Sequence, residues 1–343
     1  MCLTTFLAAC VFVAPPSPFI IDGGIYADMA QAMAEGGRLY IGENGGVEGA
    51  PALTKFLTDP IDGRVYPQYP SGYAIVAAPF YAAFGLHGLM LLNALSFAAC
   101  IALTFRLADR FYGARVARWA AAIFALATFA PTYAFPIWPH MLSLLFWLGA
   151  FCFAVKAADT DDRKTVYGCL LAAGAIIGAG VNIRIDLFLA AIVLFVWLRA
   201  AAKPEDRLAP LFLALGLIPG FLLAAWLNQL KFGSFTPFTY NSTGGATQIG
   251  KYLPLLAAAA TAMTALWVFN VNQVFARARR TIGVKTAAVA LALALCAALL
   301  ATPLRDICWR IAKGAYVLVV NLQAHSAYYQ EGVERNQFGQ LLF

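Results

Sequence analysis

Apolar positions in this chain fall into long continuous blocks parted by short basic turns, with one exception: residues 22 to 71 are polar, acidic and glycine-rich. Crossing ~30 Å of hydrocarbon takes ~20 residues of helix. On that scale the blocks predict spans at residues 2–21, 86–106, 117–135, 139–156, 167–182, 185–199, 209–227, 252–272 and 286–302. The expected fold is an all-α polytopic membrane protein with about nine transmembrane helices and one large first loop. Pro15, Pro16 and Pro18 are expected to kink or end the first helix.

Inside the long loop two shorter patterns appear. Ile25, Met29 and Met33 recur on one face while Asp28 and Glu35 point elsewhere, which predicts an amphipathic helix over about residues 25–35 lying half in the interface. Residues 71–84 are apolar but too short to span, and read as a second interfacial helix. A connection through Gly42, Gly45, Gly46 and Gly49 joins the two.

Composition fits the membrane reading: 62% of residues are hydrophobic, 12% are charged and the mean hydropathy is +0.72, outside the range of soluble domains. The net charge of +7 reports topology. With the long loop outside, Arg106, Arg110, Arg115, Arg118, Lys156, Arg163, Lys164, Arg199, Lys203, Arg207, Arg277, Arg279, Arg280 and Lys285 all fall in inner turns, as the positive-inside rule requires. The basic balance therefore implies anionic lipid contact, and no nucleic-acid motif accompanies it. Seven cysteines lie in or beside apolar blocks without metal-ligand spacing, and read as packing residues. The first block has neither a basic leader nor a small-residue cleavage motif, and reads as a span rather than a signal peptide.

Asp22 is the candidate catalytic residue. It closes the first block at the mouth of the bundle, and is either the N-cap of the following helix or a reactive carboxylate, two roles that are compatible. The outer-side cations chosen as candidates are Arg184, Lys231 and Lys251, with Arg38, Lys55 and Arg64 in the loop. Arg184, in the Asn182-Ile-Arg184-Ile-Asp186 turn, either binds an anion bidentately or pairs with Asp186. His140, after Phe135-Pro-Ile-Trp-Pro139, lies at an outer turn where an imidazole can donate to an oxygen ligand or cap a helix without a role. Tyr26, Asp28, Tyr66, Tyr69 and Tyr240 complete the candidate substrate-binding set. The loop acids Asp28, Glu43, Glu48, Asp59 and Asp62 leave a divalent cation open, with no metal ligands assigned.

The run Asp22-Gly-Gly-Ile-Tyr26, with Ala30, Met33, Gly36-Gly37 and Leu39-Tyr40, resembles the first outer loop of the GT-C superfamily of membrane glycosyltransferases. Tyr66-Pro67-Gln-Tyr69-Pro70-Ser-Gly72-Tyr73 is similar to the Tyr-Pro-Pro-Gly segment of that family, with Ser71 in place of its second proline. Residues 178–184 and 228–240 are similar to the outer ends of later spans in bacterial members, among them relatives of protein O-mannosyltransferases and lipid A aminoarabinose transferases. The family's frequent Asp-Glu pair is Asp22-Gly23 here.

The resemblance implies transfer of a sugar from a polyprenyl-phosphate donor to a glycan, lipid or protein acceptor, at the periplasmic face of a bacterial inner membrane. It places the catalytic module in residues 1–302, with the loop at 22–85, and leaves 303–343 as an outer interfacial segment beyond which further spans are expected. Two other classes fit parts of the pattern. A non-catalytic lipid- or glycan-binding scaffold would share everything except a need for Asp22. A transporter would be expected to show mid-span charges and an internal repeat, neither of which is evident.

Overall fold

In the computed structural model the described residues are 2–16, 21–42, 63–201, 208–241 and 245–246. The chain divides into two units, Met1–Asn270 and Val271–Phe343, and every described residue lies in the first. The expected spans at 252–272 and 286–302 and the segment 303–343 lie outside the described residues.

Nine helices make up the described part: α1 (Cys2–Val13), α2 (Ile21–Gly36), α3 (Gly72–Phe84), α4 (Leu86–Tyr112), α5 (Ala114–Leu126), α6 (His140–Ala158), α7 (Arg163–Val181), α8 (Phe188–Ala201) and α9 (Ala209–Phe232). Two short antiparallel strands follow, β1 (Thr239–Asn241) and β2 (Gly245–Ala246). Helices α4, α6, α7 and α9 are long and apolar enough to cross a membrane. At 1.5 Å per residue the shortest of them is about 28 Å long, close to the thickness of the hydrocarbon layer.

Several sequence expectations need correction. The first helix stops at Val13, just before the proline cluster, so Asp22 lies in the first turn of α2 rather than at the end of a first span. Helix α5 has 13 residues and gives way to a 3-10 turn at Ala130–Tyr133, where residues 117–135 were expected to form one span. Proline at the second position of that turn and Thr128, whose hydroxyl bonds the Phe124 carbonyl, account for the break. Helix α8 has 14 residues behind a 3-10 turn at Ile185–Leu187, again short of a span. The α2 face carrying Ile25 and Met29 packs into the core with Tyr73 and Ala77 of α3, so it is shielded by protein rather than laid on the interface.

Turn chemistry sets the helix ends. Gly113, at φ 82°, separates α4 from α5, and Gly85, at φ 57°, separates α3 from α4; a side chain would be strained at either. Asp162 caps α7, its carboxylate accepting from the Lys164 and Thr165 amides at 3.3 and 3.1 Å.

Buried apolar side chains form two groups, one among α1, α2, α3, α4 and the start of α6, the other among α6, α7, α8 and α9. The tightest packing joins α7 to α9. Gly174 and Gly178 on one helix face Gly216 and Gly220 on the other, two Gly-x-x-x-Gly pairs whose backbones touch, so that a Cβ on Gly220 would fall on the Gly178 backbone. Where lipid supplies no hydrophobic drive between helices, such close backbone approach is a main source of association.

Contacts across the chain order the helix ends. Arg110, near the end of α4, forms a two-pronged ion pair with Asp159, just after α6. At the opposite end the starts of α2, α3 and α6 meet the ends of α7 and α9. The candidate residues were expected to share one end of the bundle, and the functional question narrows to that end.

Candidate functional site

Asp22 is anchored from across the loop. Tyr69, 47 positions later, donates its hydroxyl to Asp22 Oδ1 at 2.8 Å. The Tyr69 ring packs on Tyr26 at 4.9 Å between centroids, and Tyr26 meets Tyr73 edge-on at 5.3 Å. All three rings are buried, so the carboxylate rests on an aromatic wall. Tyr69 is fixed at its other end too, since Lys231 Nζ donates to its carbonyl at 2.8 Å.

The chain after Tyr69 is held by α7. The Gly72 amide donates to the Asn182 carbonyl at 2.6 Å, an approach that leaves no room for a Cβ at position 72. Asn182 itself donates through Nδ2 to the Gly178 and Gly220 carbonyls, at 3.1 and 2.9 Å. Two residues on from Asn182, Arg184 lines the same cleft as Asp22.

Arg184 and Asp186 form a forked pair, with Nε 3.0 Å from Oδ1 and Nη2 2.8 Å from Oδ2. Burial alone raises the Asp186 carboxyl, but the hydrogen bonds and charge of Arg184 outweigh it and hold the group below its ordinary value. Arg184 Nη1 lies 2.9 Å from His140 Nε2. A guanidinium can only donate, so Nε2 accepts and the imidazole is neutral with its proton on Nδ1. The His140 ring stacks on Tyr133 at 4.8 Å and lies 5.0 Å from Trp138, which fixes the start of α6.

These groups enclose one cleft of about 380 Å³, lined by Asp22, Tyr26, Gln68, Tyr69, Trp138, His140, Arg184, Ile185 and Asp186. It lies within the size range of small-molecule sites. Its charged lining is two carboxylates and one guanidinium, beside tyrosine, indole and amide groups. Such a surface suits a hydroxyl-rich ligand, which needs donors, acceptors and flat apolar faces together.

No protein-family model matches this chain, and neither a curated protein nor a solved structure matches it.

Of the residues singled out from sequence, Asp22, Tyr26, Tyr69, His140 and Arg184 come together in the cleft. The others stand apart from it. Tyr66 is buried against Phe232 and Tyr40. Asp28 is on another face of α2, where burial raises its carboxyl above the ordinary value. Lys231 is buried behind Tyr69, and Tyr240 lies in β1. Arg38 pairs with Glu35 at 3.6 Å and Arg64 lies over the Tyr40 ring, while Lys55 and Lys251 fall outside the described residues. Among the described residues no three metal-ligating side chains converge.

Sequence reading passed over Gln68 and Trp138, and took Asp186 only as a partner for Arg184. Gln68 precedes Tyr69 and Trp138 stands two before His140, so proximity in sequence to the candidates was the available signal.

Proposed function

We propose that this chain is a membrane glycosyltransferase of the GT-C kind, moving a sugar from a polyprenyl-phosphate donor to an acceptor hydroxyl. The reading places the cleft on the periplasmic side of a bacterial inner membrane, with α4, α6, α7 and α9 among its spans. One observation carries it: Asp22, the carboxylate that the resemblance marks, is fixed by Tyr69 at the wall of a polar cleft, with Arg184 and His140 in the same lining.

In the proposed reaction the acceptor oxygen attacks the anomeric carbon as Asp22 takes its proton. The bond from that carbon to the phosphate oxygen breaks, and polyprenyl phosphate leaves with the electron pair. A single displacement inverts the anomeric centre and needs no second carboxylate as nucleophile. With one Asp22 oxygen held by Tyr69, the other is the one to receive the proton. A positioned base contributes ~10²- to 10⁴-fold. Arg184 supplies positive charge for the departing phosphate, and neutral His140 keeps it turned into the cleft.

A second reading has an observation in its favour. Asp186 already compensates the charge of Arg184, which suits a scaffold that holds a lipid or glycan without turnover. Purified wild type and Asp22→Asn, incubated with a panel of polyprenyl-phosphate sugars, separate the two. Donor consumption by wild type alone, with donor binding retained in both, supports the transferase; binding without consumption by either supports the scaffold.

A further inference from the structure

Lys231 belongs to neither the cleft lining nor the surface. It lies in the last turn of α9 at 1% exposure. Its Nζ donates to the Tyr69 carbonyl at 2.8 Å and lies 4.7 Å from the Phe232 ring centroid. Burying a lysine amine costs free energy whether it keeps or gives up its proton, and an apolar side chain of similar length would fill the space without that cost. The cost secures one geometric result. The carbonyl that Lys231 holds and the hydroxyl that meets Asp22 belong to the same residue, 162 positions from Lys231 and 47 from Asp22 respectively, counting to Lys231 in the forward direction and to Asp22 in the reverse.

We propose that Lys231 is a positioning residue, which sets the Tyr69 hydroxyl against Asp22 by fixing the Tyr69 main chain to α9. The segment after Tyr69 is tied separately to α7, through the Gly72 amide and the Asn182 carbonyl. Lys231 holds the Tyr69 carbonyl itself, so the main chain from Tyr69 to Gly72 is tied at both ends to the packed pair α7 and α9. The ring contact with Tyr26 limits rotation about the side chain, leaving the height of the main chain as the coordinate that Lys231 controls. The function of this tie, though not its existence, rests on the transferase reading.

The Asp22 carboxylate stretch, isolated as the infrared difference between wild type and Asp22→Asn, reports the Tyr69 hydrogen bond directly. Tyr69→Phe removes the donor and shifts the band. Lys231→Met is expected to shift it the same way, and the double variant no further. Lys231→Gln keeps a neutral donor for the carbonyl and is expected to hold the band at the wild-type position. A wild-type band in Lys231→Met, or a shift that adds to that of Tyr69→Phe, overturns the proposal. If Lys231→Met does not fold, a displaced band in Lys231→Gln overturns it in its place.

Where donor turnover is measurable, Lys231→Met and Tyr69→Phe each lower it by about tenfold or more, the worth of a hydrogen bond to a charged group, and the double variant lowers it by no more than one of them. Failure of wild type to consume any donor would sink the transferase reading while leaving the infrared result to decide the role of Lys231.

Discussion

The seam between α7 and α9 and the cleft above it solve opposite problems with neighbouring residues. In the seam, four glycines remove side chains so that two backbones can touch. In the cleft, Asp22, Tyr69, His140, Arg184 and Asp186 hold their elements apart with polar side chains that bond to one another. Asn182 joins the two regions: its side chain bonds carbonyls of both seam helices, and its own carbonyl receives Gly72 below the cleft. Rigidity under a site can thus come from a surface with no chemistry of its own, while the groups above it spend their hydrogen bonds on geometry.

That division can be broken in graded ways. The largest effect is expected at the cleft, where the proposed transferase reaction requires Asp22→Asn to lower donor turnover by ~10²- to 10⁴-fold. Because the Tyr69 hydroxyl can still donate to the amide oxygen, thermal unfolding in detergent should change little. Gly220→Val reverses the pattern. Its Cβ meets the Gly178 backbone, which cannot move like a flexible side chain, so the cost is at the upper end of the ~1–3 kcal/mol typical of overpacking and shows as a lowered unfolding midpoint.

Asn182→Ala tests the junction. Losing a donor to two buried carbonyls should cost ~1–3 kcal/mol and loosen seam and cleft together, seen as faster amide exchange at both Gly220 and Gly72. Asp28→Asn sharpens the comparison from a third place. The folded state holds the Asp28 carboxyl above its ordinary value, so folding favours its protonated form and loses that advantage as pH rises through the folded value. Removing the charge should therefore raise the unfolding midpoint at neutral pH, and an unchanged or lowered midpoint would refute the burial argument.

The smallest effect is expected from acid at Asp186. Its folded value is depressed, so the stability it contributes is present above the unfolded carboxylate range and is lost as pH falls through the folded value. The group is half exposed, and solvent screening keeps this contribution modest. Asp186→Asn should lower the unfolding midpoint slightly at neutral pH and leave it unchanged in acid, where the carboxyl is already protonated, which flattens the acid limb of the stability profile.

Much of the helical layout was legible because span length is set by the hydrocarbon thickness and shows as block length in sequence. Helices α4, α6, α7 and α9 were expected within a few residues of where they lie. Asp22 and Arg184 stood out because a charge at the end of an apolar block is costly and therefore visible. Helix α5 was misread as a full span because apolarity runs on through Ala127 to Ala130 after the helix has ended, and hydropathy does not register a 3-10 turn. Lys231 was legible as a cation and illegible as a buried one, since its partner is a main-chain carbonyl far away in sequence.

The sequence by itself determined that the described part is helical, that several helices can cross a membrane, and that the ionisable residues gather at helix ends. Those are local properties of length, hydropathy and charge. Only the tertiary structure decided that Asp22 meets Tyr69 rather than acting alone, that Arg184 reaches His140, and that the glycines of α7 and α9 lie opposite one another. Each of these pairs residues from distant segments, and the physical information resides in their distance in space, which spacing along the chain does not encode.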